Sequence, residues 1–140
     1  MEADVSSAAK SNVGSDRSEI AALRKSWVNA IINDDVSELT ALVTDDVVAI
    51  HGDGQCSCGK DEFRRYLQHR LELWDVHRTT LSSEVILRED WAVEVDDVKT
   101  TRAAIGSDDT PIASQFNTVF VFRRQADACW KIARIIELSG

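Results

Sequence analysis

The sequence predicts an α+β domain in which three helices precede a strongly curved antiparallel sheet. Three observations carry that expectation. From Ile20 to Trp74, apolar residues recur at three- and four-residue steps, the spacing of helices that bury one face. From residue 76 onward the chain is rich in Val, Ile, Thr, Phe and Trp and alternates in twos, as strands do. The two regions are separated along the chain rather than interleaved, an α+β layout.

Residues 1–15 are rich in serine and alanine without periodicity, and are expected to form a mobile tail before a single domain at 16–140. Ser15 or Asp16 suits the N-cap of the first helix, whose apolar stripe is Ile20, Leu23, Trp27, Ala30 and Ile31. Asn33-Asp34-Asp35 breaks that helix, and Asp35 suits the cap of a second, shorter one with Val36, Leu39, Leu42 and Val43 inward. Thr44-Asp45-Asp46 is expected to end it, with 47–51 a short β run and Gly52-Asp53-Gly54 a turn. The third helix follows Gly59, with Phe63, Leu67, Leu71 and Trp74 inward, acids in its first turn and Arg70 near its end, as the helix dipole favours. Strands are expected at 76–89, 91–104, 112–124 and 129–138. Their alternation is clearest in Trp91/Val93/Val95 and Phe116/Thr118/Phe120/Phe122. Such a sheet, bent around a long helix, leaves a blind pocket at its open end.

Composition narrows the function. A formal net charge of −8 repels a phosphate backbone, which argues against nucleic acid as a partner. The nearest basic cluster, Arg64, Arg65, His69 and Arg70, reads as a solvated helix face. No apolar run approaches the ~20 residues that span a bilayer, and residues 1–16 lack a secretory core, so no membrane partner and a cytoplasmic location are expected. Cys56, Cys58 and Cys129 read as reduced thiols: the first two sit one residue apart, poor geometry for a disulfide and too few ligands for zinc. No metal and no cofactor are expected, since neither a metal cluster nor a Gly-rich dinucleotide fingerprint is present in the sequence.

The segment NDDVSELTALVTDDVVAIHGDGQCSCGKDEFRRYL resembles the ketosteroid isomerase-like and SnoaL-like pattern of the nuclear-transport-factor-two-like superfamily. That pattern is an acidic turn, a short helix, an Asp-Asp before a strand, a glycine-containing loop and a Gly-Lys-Asp opening to the third helix. Downstream, EDWAVEV and FVFRRQADACWKIARIIELS resemble the SgcJ/EcaC branch of the same superfamily. The resemblance covers about residues 18–139 and implies a cone with an internal pocket (a cystatin-like fold), commonly paired into a homodimer through the outer sheet face.

The resemblance also implies candidate site residues. At the position of the isomerases' aspartate base stands His51; at that of their tyrosine donor, Trp27; at that of the later acidic donor, Thr118 or Asn117. All three identities differ, which argues against steroid isomerisation itself. A histidine with an ordinary pKa of roughly 6.5 remains a sensible general base. Glu137 is implied to face the pocket beside Ala133 and Ile135, where its carboxylate would orient the His51 ring. Trp27 would offer its indole N–H or a stacking face, and Val93, Val95, Phe116, Phe120 and Ile135 an apolar lining. Equally open at this point, His51 is a solvated strand-end residue and Glu137 a surface charge. Asp45 and Asp46 read as a helix-to-strand junction, and Arg134 as facing away from the pocket.

Two functions follow. One is a cofactor-free proton-transfer enzyme of isomerase, cyclase or dehydratase type, acting on an apolar cyclic small molecule. The other is a ligand-binding or dimerisation module of the same fold without turnover. An oxidoreductase reading has no motif behind it.

Overall fold

The computed structural model describes the backbone of residues 2–139 and the side chains of residues 14–138. Its elements are α1 (Glu2–Ile32), α2 (Val36–Ala41), β1 (Val43–Ile50), β2 (Cys56–Cys58), α3 (Lys60–Leu73), β3 (Trp74–Leu87), β4 (Trp91–Ala104), β5 (Ile112–Arg124) and β6 (Trp130–Ser139). Among the described residues the six strands form one curved sheet in the order β2-β1-β6-β5-β4-β3. The helices lie in its concavity.

All neighbouring strands are antiparallel except β1 and β6, which run parallel. The sheet is therefore mixed. The three reversals from β3 to β6 leave β6 opposite in direction to β3 and parallel to β1, a pairing that the linear reading of an antiparallel sheet missed. β2 was also missed. Its three residues, between the turn at Gly54 and Gly59, are too few to show alternation.

The apolar stripe of α1 is buried as its spacing requires: Ile20, Trp27 and Ala30 enter the core, with Leu23 and Ile31 packed against it. Phe63 and Leu67 of α3 meet them from the side, and Phe120, Phe122, Ile132 and Ile135 supply the sheet face. Asp35 caps α2, its carboxylate accepting the Glu38 N–H at 3.0 Å. Gly59 opens α3 at φ +89°, a conformation that side chains resist.

Several boundaries differ from the sequence reading; Trp74, expected to face inward on the third helix, instead opens β3, because α3 ends at Leu73. α1 extends back to Glu2, through the stretch expected to be a tail; that stretch has no proline, and its single glycine, Gly14, lies within the helix. Asp16 is then not a cap. It is buried, its carboxylate accepting from the Arg124 guanidinium and, at 3.1 Å, from Trp130 Nε1. Finally, α2 ends before Val43, so Thr44, Asp45 and Asp46 belong to β1. Asp46 bonds Arg123 at 2.6 and 3.2 Å, an ion pair that holds its carboxyl down at about 2.

Asp16 ties the long helix to the β5–β6 end of the sheet. Asp16→Ala strands a buried indole N–H and removes one of the Arg124 guanidinium's acceptors, leaving it the Glu89 carbonyl, and is expected to cost about 1–3 kcal/mol of stability. Urea denaturation checks this. A loss under about 0.5 kcal/mol would show that the cluster is not holding the helix down.

Candidate functional site

The concave face of the sheet and helices α1 and α3 enclose a two-tier cavity. An outer bowl of about 480 Å³ has Gly52, Asp53, Trp74, Arg102 and Ile112 among the residues at its wall. Below it lies a recess of about 50 Å³, lined among others by Trp27, His51, Tyr66, Arg78 and Ile135. Tyr66, Arg70, Val76, Thr100, Phe116 and Glu137 border both tiers.

His51 follows β1, whose pairing with β6 carries it to the cavity wall. It is only 4 % exposed. Its ring lies flat on Tyr66, centroids 3.4 Å apart at 12°. Its Nε2 is 2.9 Å from the buried Ser57 Oγ on β2. Burial, helped by the Arg70 charge, holds the imidazole below its ordinary pKa of 6.5, against the opposing pull of Glu137 and Asp53. The ring is thus neutral near pH 7 and fixed by a stack and a hydrogen bond.

Glu137 comes from the inner face of β6 and borders the cavity, where the resemblance implied it. It does not orient the His51 ring, and this part of the expectation is corrected. Its Oε2 accepts the Gly52 N–H at 3.2 Å and its Oε1 lies 3.5 Å from Arg70. The nearer donors take both oxygens, leaving Glu137 to act on His51 through its charge alone. Gly52 lets the backbone come this close: a Cβ there would meet Glu137 Oε2 at 3.2 Å.

Trp27 is 4 % exposed, packed between Phe63 and Phe120, and its indole N–H has no hydrogen-bond partner among the described residues. Thr118 is buried on the inner face and accepts from Arg78 Nη2 at 3.4 Å. Phe116 and Ile135 line the cavity, and Phe120 supports Trp27 from behind.

Three expected lining residues face the other way. Asn117 is exposed on the outer face and donates to the Asp96 backbone oxygen at 3.4 Å. Val93 and Val95 also lie outside, because β4 turns Ala92, Glu94, Asp96, Val98 and Thr100 inward. The apolar alternation of Trp91, Val93 and Val95 marked the outer face. The core-facing set contains two acids, Glu94 at 2 % and Asp96 at 1 % exposure. Arg24 of α1 compensates them, its Nε 2.7 Å from Glu94 and 3.3 Å from Asp96. Burial and the adjoining Asp96 carboxyl push Glu94 up to about 8, so it keeps its proton near neutrality.

Sequence reasoning also missed Tyr66, Arg70 and Arg78. Tyr66 and Arg70 stand three and seven residues past Phe63, hence on the same helical face, a signal that was present. Arg70 was instead grouped with the exposed Arg64 and Arg65. Arg78 had no such signal, since a buried arginine on a strand looks like a surface one. The three cysteines are free and exposed, and Arg134 faces away from the cavity, donating to the Asp46 carbonyl at 3.1 Å. Among the described residues no three His, Cys, Asp or Glu side chains gather as a metal site requires, and no helix is long and apolar enough to cross a membrane.

A profile of the SnoaL-like domain matches residues 20–136 of the chain. No curated protein matches the sequence. Among solved structures, a ketosteroid isomerase-like protein from Erwinia carotovora atroseptica superposes with a TM-score of 0.75 at 22% identity, over 88% of this chain and 96% of the other. A proposed dehydratase of the nuclear-transport-factor-two-like family from Streptomyces avermitilis gives 0.79 at 16%, over 91% and 98%. A hexachlorocyclohexane dehydrochlorinase gives 0.80 at 12%, over 90% and 86%. At these identities the likeness shows the fold and leaves activity to the site itself.

Proposed function

This chain belongs to the SnoaL-like domain family, and from that premise we propose that it binds an apolar, cyclic small molecule in its cone and moves a proton on it, with His51 as the general base. The observation that carries the reading is the neutral imidazole at the cavity wall, stacked on Tyr66 and bonded to Ser57. In the tautomer whose Nε2–H donates to Ser57 Oγ, Nδ1 is the nitrogen left to accept a proton from the ligand. A base of this kind is most effective when it is unprotonated yet not far below the working pH. Glu137 assists from a distance: its charge favours the imidazolium that forms as the proton arrives. The outer bowl falls within the 300–1,000 Å³ usual for small-molecule sites. Reactions of isomerase, cyclase or dehydratase type share this proton transfer and require no cofactor.

The test is solvent exchange: a panel of cyclic ketones is incubated with the protein in deuterium oxide and followed by proton NMR. Loss of signal at one carbon-bound position, abolished in His51→Ala, supports the reading. Exchange that persists unchanged in that variant removes His51 from the mechanism.

A second feature favours association. On the outer face, Ile86, Val93 and Val121 fall in one cross-strand row, and Val95, Val119, Ile136 and Ile50 in the next. Val95 is 39% exposed, and Ile50 and Ile86 slightly more. A contiguous apolar strip of this kind marks an interaction surface, and we read it as the contact between two copies of the chain. Val95→Lys is expected to shift the protein from dimer to monomer in sedimentation experiments, with the fold retained by circular dichroism. A wild-type monomer at high concentration would contradict the assignment. The exposed free thiols fit a reducing, cytoplasmic setting.

A further inference from the structure

Two residues that line the recess each carry a buried donor without an acceptor. Trp27 and Arg78 both line it, and Trp27 Nε1 and Arg78 Nε are buried with no hydrogen-bond partner among the described residues. An unmet buried N–H is destabilising, more so when it is charged, so a pair lining one small space asks for an acceptor. The charges inside the cone point the same way. Arg24, Arg70 and Arg78 bring three positive charges; Asp96 and Glu137 bring two negative ones; Glu94 holds its proton and brings none. At the rim, Asp53 and Arg102 offset each other. One positive charge is left over, in a place where burial already works against the Arg78 guanidinium.

The volumes add a shape. At about 50 Å³ the recess holds a group of one or two water volumes, not a ring, while the bowl above has ample room for one.

Resting on the reading of the cone as a ligand site, we propose that the recess is a carboxylate subsite and that the ligand is a cyclic carboxylic acid, its anionic oxygens accepting from Trp27 Nε1 and Arg78 Nε while its ring fills the bowl. Anchored in this way, the ring carbons adjoining the carboxylate come beside His51, which lines the same recess. The arginine selects for negative charge and the indole for an acceptor atom. A neutral amide of the same shape satisfies neither fully, since its NH₂ group meets donors.

The experiment compares cyclohexanecarboxylate, benzoate and 1-naphthoate with their three primary amides, by calorimetric titration on the full chain at pH 7. The carboxylates are expected to bind at least tenfold more tightly than the amides. Arg78→Gln should abolish that preference. Trp27→Phe, a gentler change should the arginine variant fail to fold, should weaken carboxylate binding several-fold and leave the amides unaffected. His51→Ala should keep the full preference, so loss of proton transfer and loss of the subsite are separable. Amides that match the carboxylates overturn the subsite while sparing the cone as a binding site. Failure of both series to bind overturns both.

Discussion

Replacing His51 with alanine is expected to lower the rate of proton transfer by about 10²–10⁴-fold, the usual contribution of a positioned general base. The pH profile should identify the same residue. Desolvation holds the imidazole below 6.5 in the folded protein, so the unprotonated, active form persists into mildly acidic solution. The rate should be flat near neutrality and fall only as pH drops through a midpoint below 6.5. Two charge changes move that midpoint in opposite directions. Glu137 raises the His51 pKa and Arg70 lowers it, so Glu137→Gln should carry the midpoint further down and Arg70→Gln should bring it up. A structural role for His51 would predict neither displacement. Steady-state rates from pH 4.5 to 8 on the three proteins decide the matter, and a midpoint indifferent to both variants would count against His51 as the titrating base.

The second large effect concerns stability. Glu94 is 2 % exposed and, beside Asp96, is pushed up to about 8 from an ordinary 4.5. Between those two values the folded state holds a proton that the unfolded chain has released. Stability from this group is therefore fully present below about pH 4.5 and is lost as pH rises through 8. The slope for one proton approaches about 1.4 kcal/mol per pH unit. Glu94→Gln keeps the shape and removes the titration. Its stability should match that of the wild type near pH 4.5 and exceed it increasingly toward pH 9, by several kcal/mol. Denaturant midpoints at five pH values measure the difference, which reports the titration of the coupled Glu94–Asp96 pair. Parallel curves would mean that Glu94 ionises freely inside the cone.

The same acid shows where the sequence is opaque. Strands 91–104 and 112–124 were readable to the residue because β-branched and aromatic residues alternate there and Gly106 and its neighbours turn the chain. Which face of 91–104 points inward was not readable. Apolar residues are taken to be core, and on β4 Trp91, Val93 and Val95 lie outside while Glu94 and Asp96 lie inside with Ala92 and Val98, the acids balanced by Arg24. The balancing charge lies about 70 residues away in the chain, so no local pattern announces it. His51, Trp27, Phe116 and Ile135, named chiefly through the resemblance, line the recess. The bond of Glu137 to Gly52 and Arg70 depends on a backbone N–H and a helix face that sequence spacing does not bring together. The turn at Gly52-Asp53-Gly54 was legible as a turn. Asp53 also lines the bowl, and its carboxylate accepts the Gln55 N–H within the turn.

One measurement reaches the central claim directly: an NMR titration of the His51 ring, assigned with the His51→Ala variant, alone and with saturating cyclohexanecarboxylate. The account predicts a midpoint below 6.5 in the free protein and a ring resonance displaced by the ligand. A midpoint at or above 6.5 with a resonance that ignores the ligand would place the imidazole in ordinary solvent, outside any site.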